Sequence, residues 1–144
     1  MSRMIFVNLP VADLQKSIAF YEAIGASADP HFADKTAQMM RISDEIVVML
    51  LTHERFNGFL ENTRTLADAR KTAQVLLCLS VDSREDVDRT IAAVASTGAD
   101  VDITPPDDYG FMYGRNFVDP DGHIWQANWM DVAAAMAASA EATA

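Results

Sequence analysis

Apolar and polar positions along this chain fall into one pattern written twice. A β-prone apolar run ends at Leu9-Pro10-Val11, and Asp13 then precedes apolar Leu14, Ile18 and Tyr21, closed by Gly25. That order predicts a strand, an N-capped helix with one apolar stripe, and a glycine stop. The same step recurs at Leu79-Ser80-Val81, followed by a Ser83-x-x-Asp86 capping box and by Val87, Ile91, Val94 and Gly98 at the same spacing. After each glycine the pattern predicts three short strands, near 28–33, 36–42 and 46–52 in the first half and near 100–104, 112–118 and 124–130 in the second. Asp34-Lys35, Ser43-Asp44-Glu45 and Asp119-Pro120-Asp121-Gly122 supply turn chemistry between them.

Each half therefore reads β-α-β-β-β, with module 1 over 4–52 and module 2 over 72–130. A ferredoxin-like α+β domain would also contain two βαβ units, but three strands after each helix is one too many for it. The connector 53–71 is polar with scattered Phe56, Phe59 and Leu66, too long for a plain turn, and is expected to hold a short helix. The tail 131–144 is alanine-rich, with strong helix propensity but few large side chains to dock it, so its end should fray. The length, 144 residues, suits a single domain.

Composition narrows the partners. Twenty-one acidic against eleven basic residues give a net charge of -10, which repels a phosphate backbone and argues against nucleic acid. No apolar run approaches the ~20 residues a bilayer helix needs, and the N-terminus shows no signal-peptide pattern, so a cytoplasmic protein without membrane contact is expected. Cys78, the single cysteine, sits in an apolar run and is expected to be a buried small hydrophobe.

Three stretches carry a resemblance: Val7-Asn8-Leu9-Pro10-Val11-Ala12-Asp13-Leu14, Ser17-Ile18-Ala19-Phe20-Tyr21 and Asp119-Pro120-Asp121-Gly122-His123. In this order, and with the repeat, the chain resembles the vicinal oxygen chelate superfamily of glyoxalase I, fosfomycin and bleomycin resistance proteins and extradiol dioxygenases, over about residues 4–130. The resemblance implies an α+β fold in which two tandem βαβββ modules form a curved mixed-sheet half-barrel cavity. It also implies a homodimer and, in enzymatic members, one divalent ion held by His, Glu or Gln from the first and last strands of each module.

At those positions the resemblance puts Phe6, Met49, Leu76 and Gln126, of which only Gln126 offers a suitable donor. Asn8 would add one more weak amide. The cavity is therefore expected to be metal-free, with no cofactor. His53 and Glu54, just past a strand end, and His123, in a turn, are read as exposed or locally bonded side chains rather than a replacement site.

The densest run of binding-type residues is Tyr109-Gly110-Phe111-Met112-Tyr113-Gly114-Arg115-Asn116-Phe117. Alternation on the last strand separates Ile124, Gln126 and Asn128 from Trp125, Ala127 and Trp129, and the tryptophans are expected beneath the helices. No Ser-His-Asp set, Cys-His pair or phosphate-cradling loop appears, and the adjacent Asp107 and Asp108 should point apart, so no catalytic residue is assigned. The leading expectation is a protein that binds a small organic ligand through Phe6, Asn8, Met49, Tyr113, Arg115 and Gln126. A divalent-metal-dependent lyase or dioxygenase is the alternative, and a drug-sequestering resistance protein, drawing cationic drugs by its acidity, is a further one.

Overall fold

The structure, a computed structural model, describes residues 2–143. The element order is β1 (Ile5–Val11), α1 (Leu14–Ala23), β2 (Ser27–Ala33), β3 (Ala37–Arg41), β4 (Ile46–Thr52), α2 (His53–Leu60), β5 (Leu77–Ser80), α3 (Arg84–Ser96), β6 (Asp107–Asp108), β7 (Met112–Val118), β8 (Ile124–Met130) and α4 (Val132–Thr143). Two four-stranded mixed sheets result, ordered β1-β4-β3-β2 and β5-β8-β7-β6, so the βαβββ unit occurs twice as the periodicity predicts. By compactness the chain divides into one unit running up to Thr72 together with Asp119–His123, and a second comprising Ala73–Val118 and Ile124 onward.

In the first unit, the run Ile46-Val47-Val48-Met49-Leu50-Leu51 explains the position of β4. It pairs parallel with β1 and antiparallel with β3, and Val47, Val48, Leu50 and Leu51 are all at least 98% buried. A strand apolar on both faces needs cover on both. α1 packs against β2, β3 and β4, while α2 packs against β1 and β4. α1 begins at Asp13, whose carboxylate accepts the Lys16 N–H at 3.1 Å, and buries Ser17, Phe20 and Tyr21. Full burial of rings such as Phe20 and Tyr21 is worth roughly 1.5–3 kcal/mol each.

In the second unit, α3 starts at Ser83, which accepts from the Asp86 N–H at 3.1 Å, and buries Val87, Ile91 and Val94 against β7 and β8. Trp125 stacks on Phe117 with ring centres 6.4 Å apart, and the two rings form the core of this unit with Ala127.

Two expectations are corrected. The strand expected at 100–104 is absent as such: Val101 makes one isolated bridge to Phe117, and the strand forms later as β6. Asp102 has φ +51, a left-handed conformation that breaks the pleat, and Pro105-Pro106 then withhold two ladder N–H groups. Cys78 is exposed rather than buried, because its neighbours Leu77 and Leu79 take the α3 side of the sheet and alternation turns the thiol outward. Partial desolvation still raises its pKa. The tail does form a helix, α4, with Val132 and Met136 exposed, and no described helix is long and apolar enough to cross a membrane.

Candidate functional site

Parallel pairing sets Phe6 beside Val47 and Asn8 beside Met49. Alternation then gives these four residues, with Leu51, one face of the first sheet. α2 covers part of that face. Thr52 caps it by accepting the Arg55 N–H at 3.3 Å, and Glu61 and Asn62, both at positive φ, turn the chain away after Leu60. Between helix and sheet lies a cavity of about 240 Å³ lined by Asn8, Leu51, Phe56, Phe59 and Leu60. Asn8 Nδ2 donates to the Phe6 carbonyl at 3.3 Å, which leaves its side-chain oxygen for another donor. Phe59 is 68% exposed at the rim, with the Arg55 guanidinium 5.7 Å from its ring centre.

The second feature of this unit is the turn Asp119–His123. Asp119 is buried and accepts from the Tyr21 hydroxyl at 2.6 Å and from the Asp121 and His123 N–H groups at 3.0 and 2.9 Å. Burial nonetheless raises its pKa, as the loss of water outweighs the His123 ring and these donors. Asp121, also buried, accepts from Ala12 N–H at 2.8 Å and from the Ser17 hydroxyl at 3.4 Å. The connector lies directly on this turn: a Cβ at Gly122, whose φ is +92, would stand 2.9 Å from the Arg70 nitrogen. Arg70 in turn donates to the Pro120 carbonyl. A cavity of about 270 Å³ remains, lined by Pro10, His53, residues 66–70, Asp121 and His123.

In the second unit, Gln126 and Asn128 lie over Gly114, where any Cβ would come within 2.8 and 2.9 Å of their amide nitrogens. Gln126 donates to Asp107 at 3.0 Å and accepts from Asn128 at 3.4 Å, with the Cys78 thiol 3.6 Å away. Tyr113 and Arg115 do not join this cluster. They pair with Trp129 and Ala127 on the opposite face, where the Tyr113 hydroxyl donates to Asp88 of α3 at 2.6 Å and Arg115 bonds both Asp88 and Asp102. The sequence reading grouped them with Gln126 as ligand contacts; the odd-even alternation of the hairpin separates them from it. Arg84 completes the helix-side network, bonded to Asp108 and 4.3 Å from the Tyr113 ring centre, and it holds the Asp108 carboxyl down at about 2. Asp107 and Asp108 thus point apart, to Gln126 and Arg84.

The expected contacts Phe6, Asn8 and Met49 therefore share one face of the first sheet, and Gln126 belongs to the second. The connector residues Phe56, Phe59, His53 and Arg70 were missed as site residues. For Phe56 and Phe59 the signal was a phenylalanine pair three apart in a largely polar segment; His53 and Arg70 gave none.

A sequence model described as the glyoxalase/bleomycin resistance protein/dioxygenase superfamily matches residues 3–127. The chain belongs to that superfamily. Among solved structures, a hypothetical protein of S. aureus is 26% identical, with 90% of this chain and 94% of that one aligned at a TM-score of 0.73. A superfamily enzyme from Burkholderia phytofirmans PsJN is 19% identical over 90% and 99% of the chains, TM-score 0.75. The fosfomycin resistance protein FosX of Mesorhizobium loti is 19% identical over 94% and 96%, TM-score 0.64. At such identities the last two share the fold. No curated protein matches the chain.

The metal that enzymatic members of the superfamily hold does not fit the residues here. Phe6 and Met49 carry a ring and a thioether; Leu76 is aliphatic and 74% exposed; the Gln126 amide is engaged with Asp107 and Asn128. The hard and borderline divalent ions take oxygen, nitrogen or thiolate donors, which a phenyl ring, a thioether and an aliphatic side chain do not supply. Among the described residues, no group of three or more His, Cys, Asp or Glu side chains is placed to hold an ion.

Proposed function

We propose that this superfamily member binds a small, largely apolar organic molecule on the face of the first sheet that carries Phe6, Asn8 and Met49, without a metal ion. The observation that carries the reading is the cavity of about 240 Å³ beneath α2, walled by Leu51, Phe56, Phe59 and Leu60 with one amide, Asn8. Small-molecule sites have this character: apolar walls with a few polar groups that orient the ligand. Burying carbon there is worth roughly 25 cal/mol per Å², and Asn8 adds direction. The donor chemistry at Phe6 and Met49 supports binding by contact rather than by coordination.

The test is calorimetric titration with indole and 1-naphthol against wild type and Phe59→Ser. Phe59 stands at the rim and is mostly exposed, so its loss leaves the fold intact. The expected result is saturable binding with a negative heat-capacity change, weakened by Phe59→Ser. A flat titration with both probes, or affinity indifferent to Phe59, rejects the reading. A homodimer belongs to the same proposal, since the edge strand β1 and the chain leading into β5 expose Ile5, Phe6, Val75 and Leu76. Sedimentation at micromolar concentration reads it directly.

A further inference from the structure

The cavity at the turn Asp119–His123 has a chemistry different from the one beneath α2. It lies at the carboxyl ends of the parallel strands β1 and β4, where Pro10 and His53 face the connector and the turn. Its walls are held in place: the connector backbone passes over Gly122 with no room for a Cβ, and Asp121 anchors the turn to the start of α1.

The charged groups around it are not equivalent. Asp121 already receives two hydrogen bonds, and one Asp68 oxygen accepts the Arg70 N–H at 3.0 Å. Arg70 donates to the Pro120 carbonyl, and among the described residues it forms no ion pair with a carboxylate, in a chain of net charge -10. His123 Nε2 lies 3.0 Å from the Pro10 carbonyl, leaving Nδ1. The His53 side chain is exposed and, among the described residues, makes no hydrogen bond or ion pair.

We propose that this cavity is a second ligand site, for a small organic carboxylate. The free guanidinium edge of Arg70 takes the carboxylate oxygens, as its planar fork suits them, and His53 and His123 supply further polar contacts. The carbon body lies on Pro10, Leu66 and Ala67. A phosphate dianion is disfavoured because Asp68 and Asp121 repel a second negative charge.

The sequence has three histidines, so imidazole proton resonances report the site directly, with exposed His31 as an internal reference. Titration with hexanoate should shift His53 and His123 saturably and leave His31 unmoved. Hexanamide and inorganic phosphate should bind about tenfold more weakly or less, and Arg70→Gln should weaken hexanoate about tenfold. Should Arg70→Gln move the His123 resonance before ligand is added, His53→Gln decides instead, with an expected loss of about threefold. Parallel shifts of all three histidines overturn the proposal, as does phosphate or hexanamide matching hexanoate. Wild-type affinity in the deciding variant overturns it too. A ligand beneath α2 touches neither Arg70 nor His123, so failure of that reading leaves these outcomes intact.

Discussion

The Tyr21 hydroxyl donates to Asp119 Oδ2 at 2.6 Å, joining the first helix to a turn 98 positions along the chain. Both side chains are buried, and Asp119 also gathers two backbone N–H groups of its own turn. A turn of the second repeat is thus a structural part of the first unit. Tyr21→Phe should cost about 2 kcal/mol, the worth of a hydrogen bond to a charged group in a buried place. Urea denaturation reads it, and a loss within error of zero would mean that the two backbone donors suffice.

Asp119 also makes a prediction about pH. Burial raises its pKa in the folded protein, so the stability linked to its neutral form is fully present below the ordinary aspartate value and is lost as pH rises from about 4 through the raised folded value. Asp119→Asn removes that dependence and keeps an oxygen for both backbone donors. Wild type should therefore gain on Asp119→Asn as pH falls through this window. Asp88 and Asp108, whose pKa values are lowered by Tyr113 and Arg84 respectively, act in the opposite direction and equally in both proteins. A wild-type-minus-variant difference constant from pH 7 to pH 4 would contradict the assignment.

Gly122 is where connector and turn touch. An alanine there would be strained at φ +92 and would press on the Arg70 and Ala69 backbone, which has no flexible end to yield. Gly98, at φ +87, has open space instead. Gly98→Ala should cost about 1 kcal/mol and Gly122→Ala roughly 2–3 kcal/mol. Equal midpoints in denaturant for the two variants would show that the seam is looser than drawn.

How far the sequence foretold this can be judged from β8 and β6. Ile124–Met130 was legible to the residue because strict alternation, a Pro-Gly turn before it and two tryptophans all agree. β6 was misplaced because a left-handed Asp102 leaves no mark in a pattern of apolar positions; its carboxylate is held by the Arg115 fork, a tertiary contact. The site divides in the same way. Phe6, Asn8 and Met49 followed from strand position, whereas the roles of His53 and Arg70 arise only when the connector folds back on the turn, which no local spacing encodes.

Arg115 separates structure from binding. It bonds Asp102 and Asp88 beneath α3 and is 77% buried as a side chain. Arg115→Ala should therefore lower stability by about 1–2 kcal/mol, part of the pair's strength being lost to solvent at Asp88. It should leave the affinity for indole or hexanoate unchanged. A stable variant with weakened binding would return Arg115 to the ligand site.

Met49 bears most directly on the proposed chemistry. Its strand neighbours across the ladder are Asn8 and Met39, so a carboxylate put there would meet an amide and a thioether but no cation. Met49→Glu should thus destabilise the fold by roughly 1–3 kcal/mol at neutral pH, the cost of a half-buried charge without a partner. Its pKa would be raised, so the deficit should shrink as pH falls towards the ordinary glutamate value. Binding of 1-naphthol should weaken in the variant at pH 7 and recover on acidification. If Met49→Glu is as stable as wild type at pH 7 and binds the probe equally well, this face is solvated rather than a place where carbon is buried, and the ligand must be sought elsewhere.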